Sequence, residues 1–128
     1  MTEIKVRTSR RIEAKEITGD VARLVDKSDA TLVHLFCSHT TCGLTINENA
    51  DPAVVKDINN TLDRMVPVDP AYTHGEGNSD AHIKSSLVGH SLTIPLAHGR
   101  MILGTWQGIY LMEFDGPRER RIILSLLK

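Results

Sequence analysis

The chain has 128 residues, the usual size of one domain, and its 41% hydrophobic and 24% charged residues are typical of a folded protein. A formal net charge of -1 provides no basic field that would attract nucleic acid. There is no run of about 18 apolar residues that could cross a membrane, and the N-terminus lacks the apolar core of a secretory signal. We therefore predict one cytoplasmic domain over residues 1–128.

The first third of the chain predicts strands interrupted by one short helix. Apolar and polar residues alternate over residues 4–17, which is the pattern of one or two strands. A short helix is expected around Val21 and should end near Ser28. Residues 31–36 and 44–46 are β-branched and apolar, so we expect two strands that form a hairpin or a bulged pair.

Two further helices are expected in the middle of the chain. Asp51 is a suitable N-cap and Pro52 suits the first helical position, so an amphipathic helix should begin there and stop before Pro67. Residues 69–78 are rich in proline, glycine and polar side chains, which predicts a loop. A short third helix is expected over residues 80–87 and should end at a glycine.

The remainder of the chain predicts four strands joined by short turns. They are expected at residues 91–97, 100–105, 108–114 and 121–127, and such short turns favour an antiparallel meander. Strands at both ends of the chain with helices grouped between them indicate an α+β fold. We therefore predict a single compact domain of antiparallel β-sheets with a few helices.

Two small clusters favour structural roles. Arg118, Arg120 and Arg121 form the only tight basic cluster, and at the entrance of a predicted strand they are expected to be a solvated edge. Cys37 and Cys42 have four residues between them rather than the two of common zinc and redox motifs. We expect two reduced thiols.

Three of the six histidines lie at the ends of predicted elements and beside hydroxyl residues: His39, His82 and His90. Three neutral imidazoles that meet in space can ligate zinc or a similar ion and leave a position open for water or substrate. The same rings could instead bind a phosphate when protonated, assisted by threonine hydroxyls and a helix N-terminus. The sequence leaves both options open.

Other residue types around these histidines suit chemistry. Glu48 lies between a predicted strand and helix, where its carboxylate could act as a general base. Trp106 stands between two nearby glycines and could line a pocket for a flat ring, or could fill the core. His74, in a glycine-containing loop, is a candidate for a lid residue.

Three long segments resemble signatures of the YjbQ-like family, whose members are described as secondary thiamine-phosphate synthases. They are SHTTCGLTINE at residues 38–48, DAHIKSSLVGHS at residues 80–91 and GTWQGI at residues 104–109. The resemblance implies a compact α+β fold, a homotrimer and a weak ability to make thiamine phosphate. That reaction joins a pyrimidine methyl diphosphate to a thiazole phosphate and releases pyrophosphate.

Residues and resemblance together predict a site with three groups of side chains. The expected catalytic residues are His39, Glu48, His82 and His90. The expected substrate-binding residues are Thr40, Thr41, Asn47, Ser85, Ser86, Trp106 and Gln107, with Lys84 and Arg100 as optional charge partners. A divalent metal, zinc or magnesium, is expected on His39, His82 and His90.

The leading hypothesis is a transferase that acts on a small phosphorylated substrate, with no nucleic-acid or membrane partner. A metal-dependent hydrolase of a phosphate or cyclic ester is the first alternative, because metal-bound water is a nucleophile at neutral pH. A non-catalytic binder of a small anionic metabolite is the second.

Overall fold

Eight strands and three helices build the α+β domain predicted from the sequence. The computed structural model describes all residues, 1–128. In chain order the elements are β1 (Thr2–Arg7), β2 (Glu13–Glu16), α1 (Thr18–Val25), β3 (Leu32–Cys37), β4 (Cys42–Glu48), α2 (Pro52–Met65), α3 (Ser79–Val88), β5 (Ser91–Ala97), β6 (Arg100–Met101), β7 (Gln107–Glu113) and β8 (Glu119–Leu127). None of the helices combines the length and the apolar character needed to span a bilayer.

The strands form two antiparallel sheets that share a core. The larger sheet has the order β1-β8-β3-β5-β6, and the smaller has the order β2-β7-β4. Inward-facing side chains from both sheets, such as Leu35 of β3 and Leu111 of β7, belong to one cluster of 17 buried residues. Alternation along each strand produces this core, because successive side chains point to opposite faces.

The two sheets differ in what covers their outer faces. A second cluster joins Ala81 of α3 to Tyr110, Met112 and Phe114 of β7, with side chains of α2 packed against it. The smaller sheet therefore lies between the core and helices α2 and α3. On the outer face of the larger sheet, Leu32 and Phe36 of β3 are exposed.

The predicted strand pairing is wrong in two places. Strands β3 and β4 do not form a hairpin, because they belong to different sheets. The last four strands are not a meander either: β7 pairs with β2 and β4, and β8 pairs with β1 and β3. Only β5 and β6 form the expected hairpin, and β6 is two residues long rather than six. An alternating pattern specifies which face of a strand is buried, but it does not specify the partner strand.

The helix signals were more reliable, because they depend on neighbouring residues. Asp51 caps α2 as predicted, with its Oδ1 accepting from the backbone N–H of Ala53 at 2.9 Å and Pro52 in the first turn. Asn78 is the N-cap of α3 but makes no capping hydrogen bond there. Its side chain donates instead to Asp115 at 2.8 Å, in the region of the predicted site.

The C-terminal end of α3 packs closely against the start of β4. A Cβ atom at Gly43 would lie 2.5 Å from the carbonyl oxygen of Gly89, so only glycine fits there. The Gly89 carbonyl also accepts from Leu44 N at 3.0 Å, and His90 O accepts from Cys37 N at 2.7 Å. These contacts fix the loop of residues 38–41, which carries part of the predicted site, against the helix.

Candidate functional site

A polar pocket of about 410 Å³ lies where the 38–41 loop meets the beginning of α3 and the connection from β7 to β8. Its eleven lining residues include no hydrophobic side chain. They are Ser38, His39, Thr40, Thr41, His74, Glu76, Asn78, His82, Asp115, Arg118 and Arg120. Four of the predicted site residues, His39, Thr40, Thr41 and His82, are therefore brought together here.

A buried ion pair supports the pocket from beneath. Glu113 is 0% exposed and Arg120 is 3% exposed. Arg120 Nε donates to Glu113 Oε1 at 2.9 Å, and Arg120 Nη2 donates to the Thr41 hydroxyl at 2.8 Å and to its carbonyl at 3.3 Å. The hydroxyl of Thr8 also donates to Glu113 Oε1, at 2.7 Å. The arginine thus holds the pocket loop in place through Thr41.

Both members of this pair carry their charge at neutral pH. Burial raises the pKa of the Glu113 carboxyl, but hydrogen bonds from Arg120, Thr8 and the Asp115 N–H outweigh it, and the net pKa lies below its ordinary value. Burial alone would lower the pKa of Arg120. The hydrogen bond and charge of the Glu113 carboxylate raise this pKa by more than burial lowers it, so the net shift is upward.

His39 contributes a neutral imidazole. Its Nε2 accepts a hydrogen bond from the backbone N–H of Arg121 at 2.9 Å, so the proton of the neutral ring is on Nδ1. Burial lowers the pKa of His39, and the positive charges of Arg120 and Arg121 lower it further. The ring is therefore uncharged at pH 7.

His82 lies in α3, opposite the loop that precedes this helix. The rings of His82 and His74 meet edge to face, with centroids 5.3 Å apart and an interplanar angle of 88°. His74 Nε2 is 3.9 Å from a carboxylate oxygen of Glu76. The glycine-containing loop thus contributes His74 to the pocket that also contains the predicted residue His82.

The third side of the pocket is organised by Asp115. Its Oδ2 accepts from Asn78 Nδ2 at 2.8 Å and from Arg118 Nη2 at 3.1 Å. The buried Oδ1 of Asn78 has no hydrogen-bond partner. Among the lining residues, Arg118 and Arg120 supply two positive charges, and Glu76 and Asp115 supply two negative ones.

The expected triad of His39, His82 and His90 does not converge within one chain. His82 is near the start of α3, whereas His90 follows the end of that helix, so the helical rise separates them by about 12 Å. His90 Nε2 bonds to the Ser85 hydroxyl at 2.8 Å, and this hydroxyl donates to the carbonyl of Cys42 at 2.7 Å. No three His, Cys, Asp or Glu side chains of the chain are placed to hold a metal ion together.

Several other predicted residues also lie outside the pocket. Asn47 and Glu48 occupy the far end of β4, about 20 Å from Thr41 along the extended strand. Glu48 accepts from Asp51 N at 3.2 Å at the start of α2, and Gln107 accepts from Gly104 N at 2.8 Å. Four more predicted residues are absent from the lining: Ser85, Ser86, Trp106 and Arg100.

The remaining charge partner, Lys84, has a structural role. Its side chain is 1% exposed and lies between Asp63, at 2.7 Å, and Asp80, at 3.4 Å. Asp80 is also paired with Arg11 at 2.8 Å. Burial raises the pKa of Asp80, but the hydrogen bond and charge of Arg11, together with Lys84, bring the net value below the usual one. These charges neutralise one another away from the pocket.

Comparison with known proteins places this geometry in a family. The family model described as UPF0047 protein YjbQ-like matches residues 2–128. The chain belongs to the YjbQ-like family. A UPF0047 protein of Methanocaldococcus jannaschii is 46% identical over 125 residues, which is 96% of this chain and 91% of the relative. The UPF0047 protein YugU of Bacillus subtilis is 43% identical over 127 residues, covering 97% and 96% of the two chains.

Solved structures agree with the fold of this YjbQ-like chain. A protein of Clostridium acetobutylicum, described as an uncharacterized conserved protein of the YjbQ/UPF0047 family, superposes with a TM-score of 0.95. It is 46% identical, and the match covers 99% of this chain and 100% of that one. A conserved hypothetical protein of Thermus thermophilus gives a TM-score of 0.94 at 41% identity, with 99% and 100% coverage.

The sequence analysis missed the most deeply buried part of the YjbQ-like site. Arg120 was expected on a solvated edge, but it is buried and lines the pocket. Glu113 falls within the strand predicted over residues 108–114, and no role was predicted for its carboxylate. The signal was available, because a lone carboxylate in a strand buried on both faces needs a cationic partner, and Arg120 lies seven residues further along the chain.

We predict that Glu113→Gln destabilises the YjbQ-like domain by about 3 kcal/mol in urea unfolding, because Arg120 then stays buried without its counter-charge. The control is Asp20→Asn, which removes a carboxylate from an exposed pair with Arg23. The control should change stability by less than about 0.5 kcal/mol. Equal losses in the two variants would contradict a supporting role for the buried pair.

We also predict a pH effect from His39. Its pKa in the folded protein lies below the unfolded value of 6.5, so the neutral ring stabilises the fold above pH 6.5, and this contribution is lost as the pH falls below it. NMR titration of the ring nitrogens should give a pKa below 6.5. In His39→Gln the thermal midpoint should fall less steeply over the same pH range. A ring pKa at or above 6.5 would refute the assignment.

Proposed function

We propose that this YjbQ-like chain binds a small phosphorylated metabolite through its oxyanion in the polar pocket. The observation that supports this is the lining itself, which contains three imidazoles, two guanidinium groups and three hydroxyl side chains and no hydrophobic residue. Charge-assisted hydrogen bonds from arginine and histidine are the strongest that proteins make to phosphate oxygens.

Each group would have a distinct part in binding. Arg118 and Thr40 are exposed and can turn towards a ligand, whereas Arg120 is fixed by Glu113 and would act mainly by holding Thr41. His82 and His74 can each donate a ring N–H. Because Glu113 and Asp115 already pair with the two arginines, these ring N–H groups would supply the further donors for an anion.

We further propose that the chemistry is the transfer reaction that the sequence motifs resemble. The thiazole nitrogen would use its lone pair to form a bond to the pyrimidine methylene carbon. The carbon–oxygen bond to the diphosphate would break, and its electron pair would leave with pyrophosphate. The pocket would stabilise the developing negative charge on this leaving group, which is where preorganised donors lower a barrier most.

The chain does not place three metal ligands together, so the proposed transfer assigns each role to the side chains of the pocket. A divalent metal therefore stays a prediction from the sequence, as does a cytoplasmic location. For the same reason the metal-dependent hydrolase is the less favoured function. A non-catalytic anion binder shares the same pocket and differs only in turnover.

We propose, in addition, that the protein assembles as a homotrimer. The outer face of the larger sheet carries Leu32, Phe36 and Leu127, which are 36%, 42% and 45% exposed. Leu32 and Leu127 are register partners on neighbouring strands, so their side chains are adjacent, and Phe36 lies further along the same face of β3. An exposed apolar sheet face of this kind is typical of an interface between subunits.

The binding proposal predicts that pyrophosphate binds the purified protein in titration calorimetry and that His82→Asn weakens its affinity about tenfold, because the shorter amide side chain does not reach the position of the ring N–H. The same variant should abolish thiamine-phosphate formation and leave the thermal midpoint within a few degrees. His98→Asn, in the β5–β6 turn, is the matched control and should behave as the native protein.

The results separate the two parts of the proposal. Unchanged pyrophosphate affinity in His82→Asn would refute the pocket as the anion site. Normal binding with no synthase turnover in the native protein would refute the transfer reaction and identify a binding module.

The assembly proposal predicts a trimer mass in light scattering at micromolar concentration. Phe36→Glu should dissociate it while the circular dichroism spectrum stays native, because a charge is then buried at the interface. Val68→Glu, at an exposed apolar residue in the loop after α2, is the control and should leave the mass unchanged. A monomeric native protein would contradict the trimer.

A further inference from the structure

The two cysteines occupy a junction between the sheets. Cys37 is the last residue of β3 in the larger sheet, and Cys42 is the first residue of β4 in the smaller one. Their Sγ atoms are 3.3 Å apart, both thiols are free, and the side chains are 1% and 0% exposed. The four residues between them, 38–41, form the loop that contributes to the polar pocket.

We propose that Cys37 and Cys42 form a reversible disulfide in response to hydrogen peroxide, and that this bond locks the pocket loop. One thiol is oxidised to a sulfenic acid while the peroxide oxygen–oxygen bond breaks and one water leaves. The second thiol then displaces the hydroxyl as a second water and forms the sulfur–sulfur bond. Two thiols and one peroxide thus yield one disulfide and two waters.

The geometry favours closure within the chain. A bond requires the sulfurs to approach by roughly 1.2 Å, which side-chain rotation and a small loop movement can provide. The backbone on both sides is already held in place: Cys37 N donates to His90 O at 2.7 Å, and Cys42 O accepts from the Ser85 hydroxyl at 2.7 Å. The adjustment therefore falls on the loop of residues 38–41.

The burial of both thiols limits which oxidants can reach them. With both sulfurs almost inaccessible, a protein disulfide or a bulky thiol reagent cannot make the mixed disulfide that exchange requires. Peroxide is small and neutral, and it can reach the sulfurs when the loop opens locally. Ser38 and Thr40 are exposed, so the loop has solvent on its outer side.

The bond would act directly on the pocket. Four of its eleven lining residues lie inside the ring that the disulfide closes. Thr41 is anchored to Arg120 and His39 is bonded to Arg121, so a shift of the loop changes the hydrogen bonds of both. This inference does not depend on which anion the pocket binds, since it concerns the loop itself.

The first test counts thiols on the full-length protein. After peroxide treatment and removal of the excess with catalase, the protein is denatured and alkylated with N-ethylmaleimide. We expect two adducts in the untreated protein, none after peroxide, and two again after dithiothreitol, with peptide mass spectrometry linking Cys37 to Cys42. Two adducts that persist after peroxide, or losses that dithiothreitol does not reverse, would overturn the proposal.

Cys37→Ser and Cys42→Ser serve as matched variants. Each retains a single thiol that has no partner in the chain, so peroxide should produce no intramolecular link. The intact mass distinguishes the two products, because an intramolecular disulfide removes two hydrogens whereas a sulfenic acid on the remaining thiol adds one oxygen. An added oxygen in the native protein, in place of the loss of two hydrogens, would overturn the proposal.

The second test uses only the native protein, so it does not depend on whether the cysteine variants fold. Hydrogen exchange of the oxidised and reduced native protein is compared, with reductant added in the acid quench. The amides of residues 38–41 should exchange at least several-fold more slowly in the oxidised form. The amides of helix α1, which contains neither the cysteines nor the loop, are the internal control and should exchange at the same rate in both forms. Equal exchange in the loop would overturn the locking of the pocket.

Discussion

The structure depends on one buried ion pair. Glu113 ends β7 in the smaller sheet and Arg120 is near the start of β8 in the larger one, so their hydrogen bonds join the two sheets at one edge of the core. Burying two charges is costly, and the cost is met only when every donor and acceptor finds a partner. Thr8, Thr41 and the Asp115 N–H complete that set around the two side chains. The same bonds that satisfy the charges fix the pocket loop.

Helix α3 is the second constraint, because it separates two groups of residues that are close in sequence. Its beginning brings Asn78 and His82 to the pocket, and its end brings His90 to the Ser85 hydroxyl behind Cys42. The close approach of Gly43 to Gly89 allows no adjustment between helix and strand. The helix therefore gives the residues at its two ends different roles, one at the polar pocket and the other in fixing the β3–β4 junction.

What the sequence could predict follows from the range of each interaction. The Asp51 cap and Pro52 define the start of α2 through contacts over two or three residues, and that prediction was confirmed. The partners of β7 and β8 lie far away in sequence, and the pattern of apolar residues could not distinguish them. The loop residues Thr40 and Thr41 line the pocket because they precede β4, whereas Glu48 lies at the opposite end of that strand.

The balance of charges in the pocket decides what kind of ligand suits it. A track for a polyanion needs a row of unmatched cations, but Arg120 is neutralised by Glu113, and Arg118 by Asp115. Among the imidazoles, His39 is held neutral by its surroundings, because burial and the nearby arginines lower its pKa. The proposed ligand, one small oxyanion, suits a pocket whose arginines are already matched better than an extended chain of phosphates would. Two arginines of the basic cluster in the sequence, Arg118 and Arg120, therefore line the pocket, and the backbone N–H of the third, Arg121, holds His39.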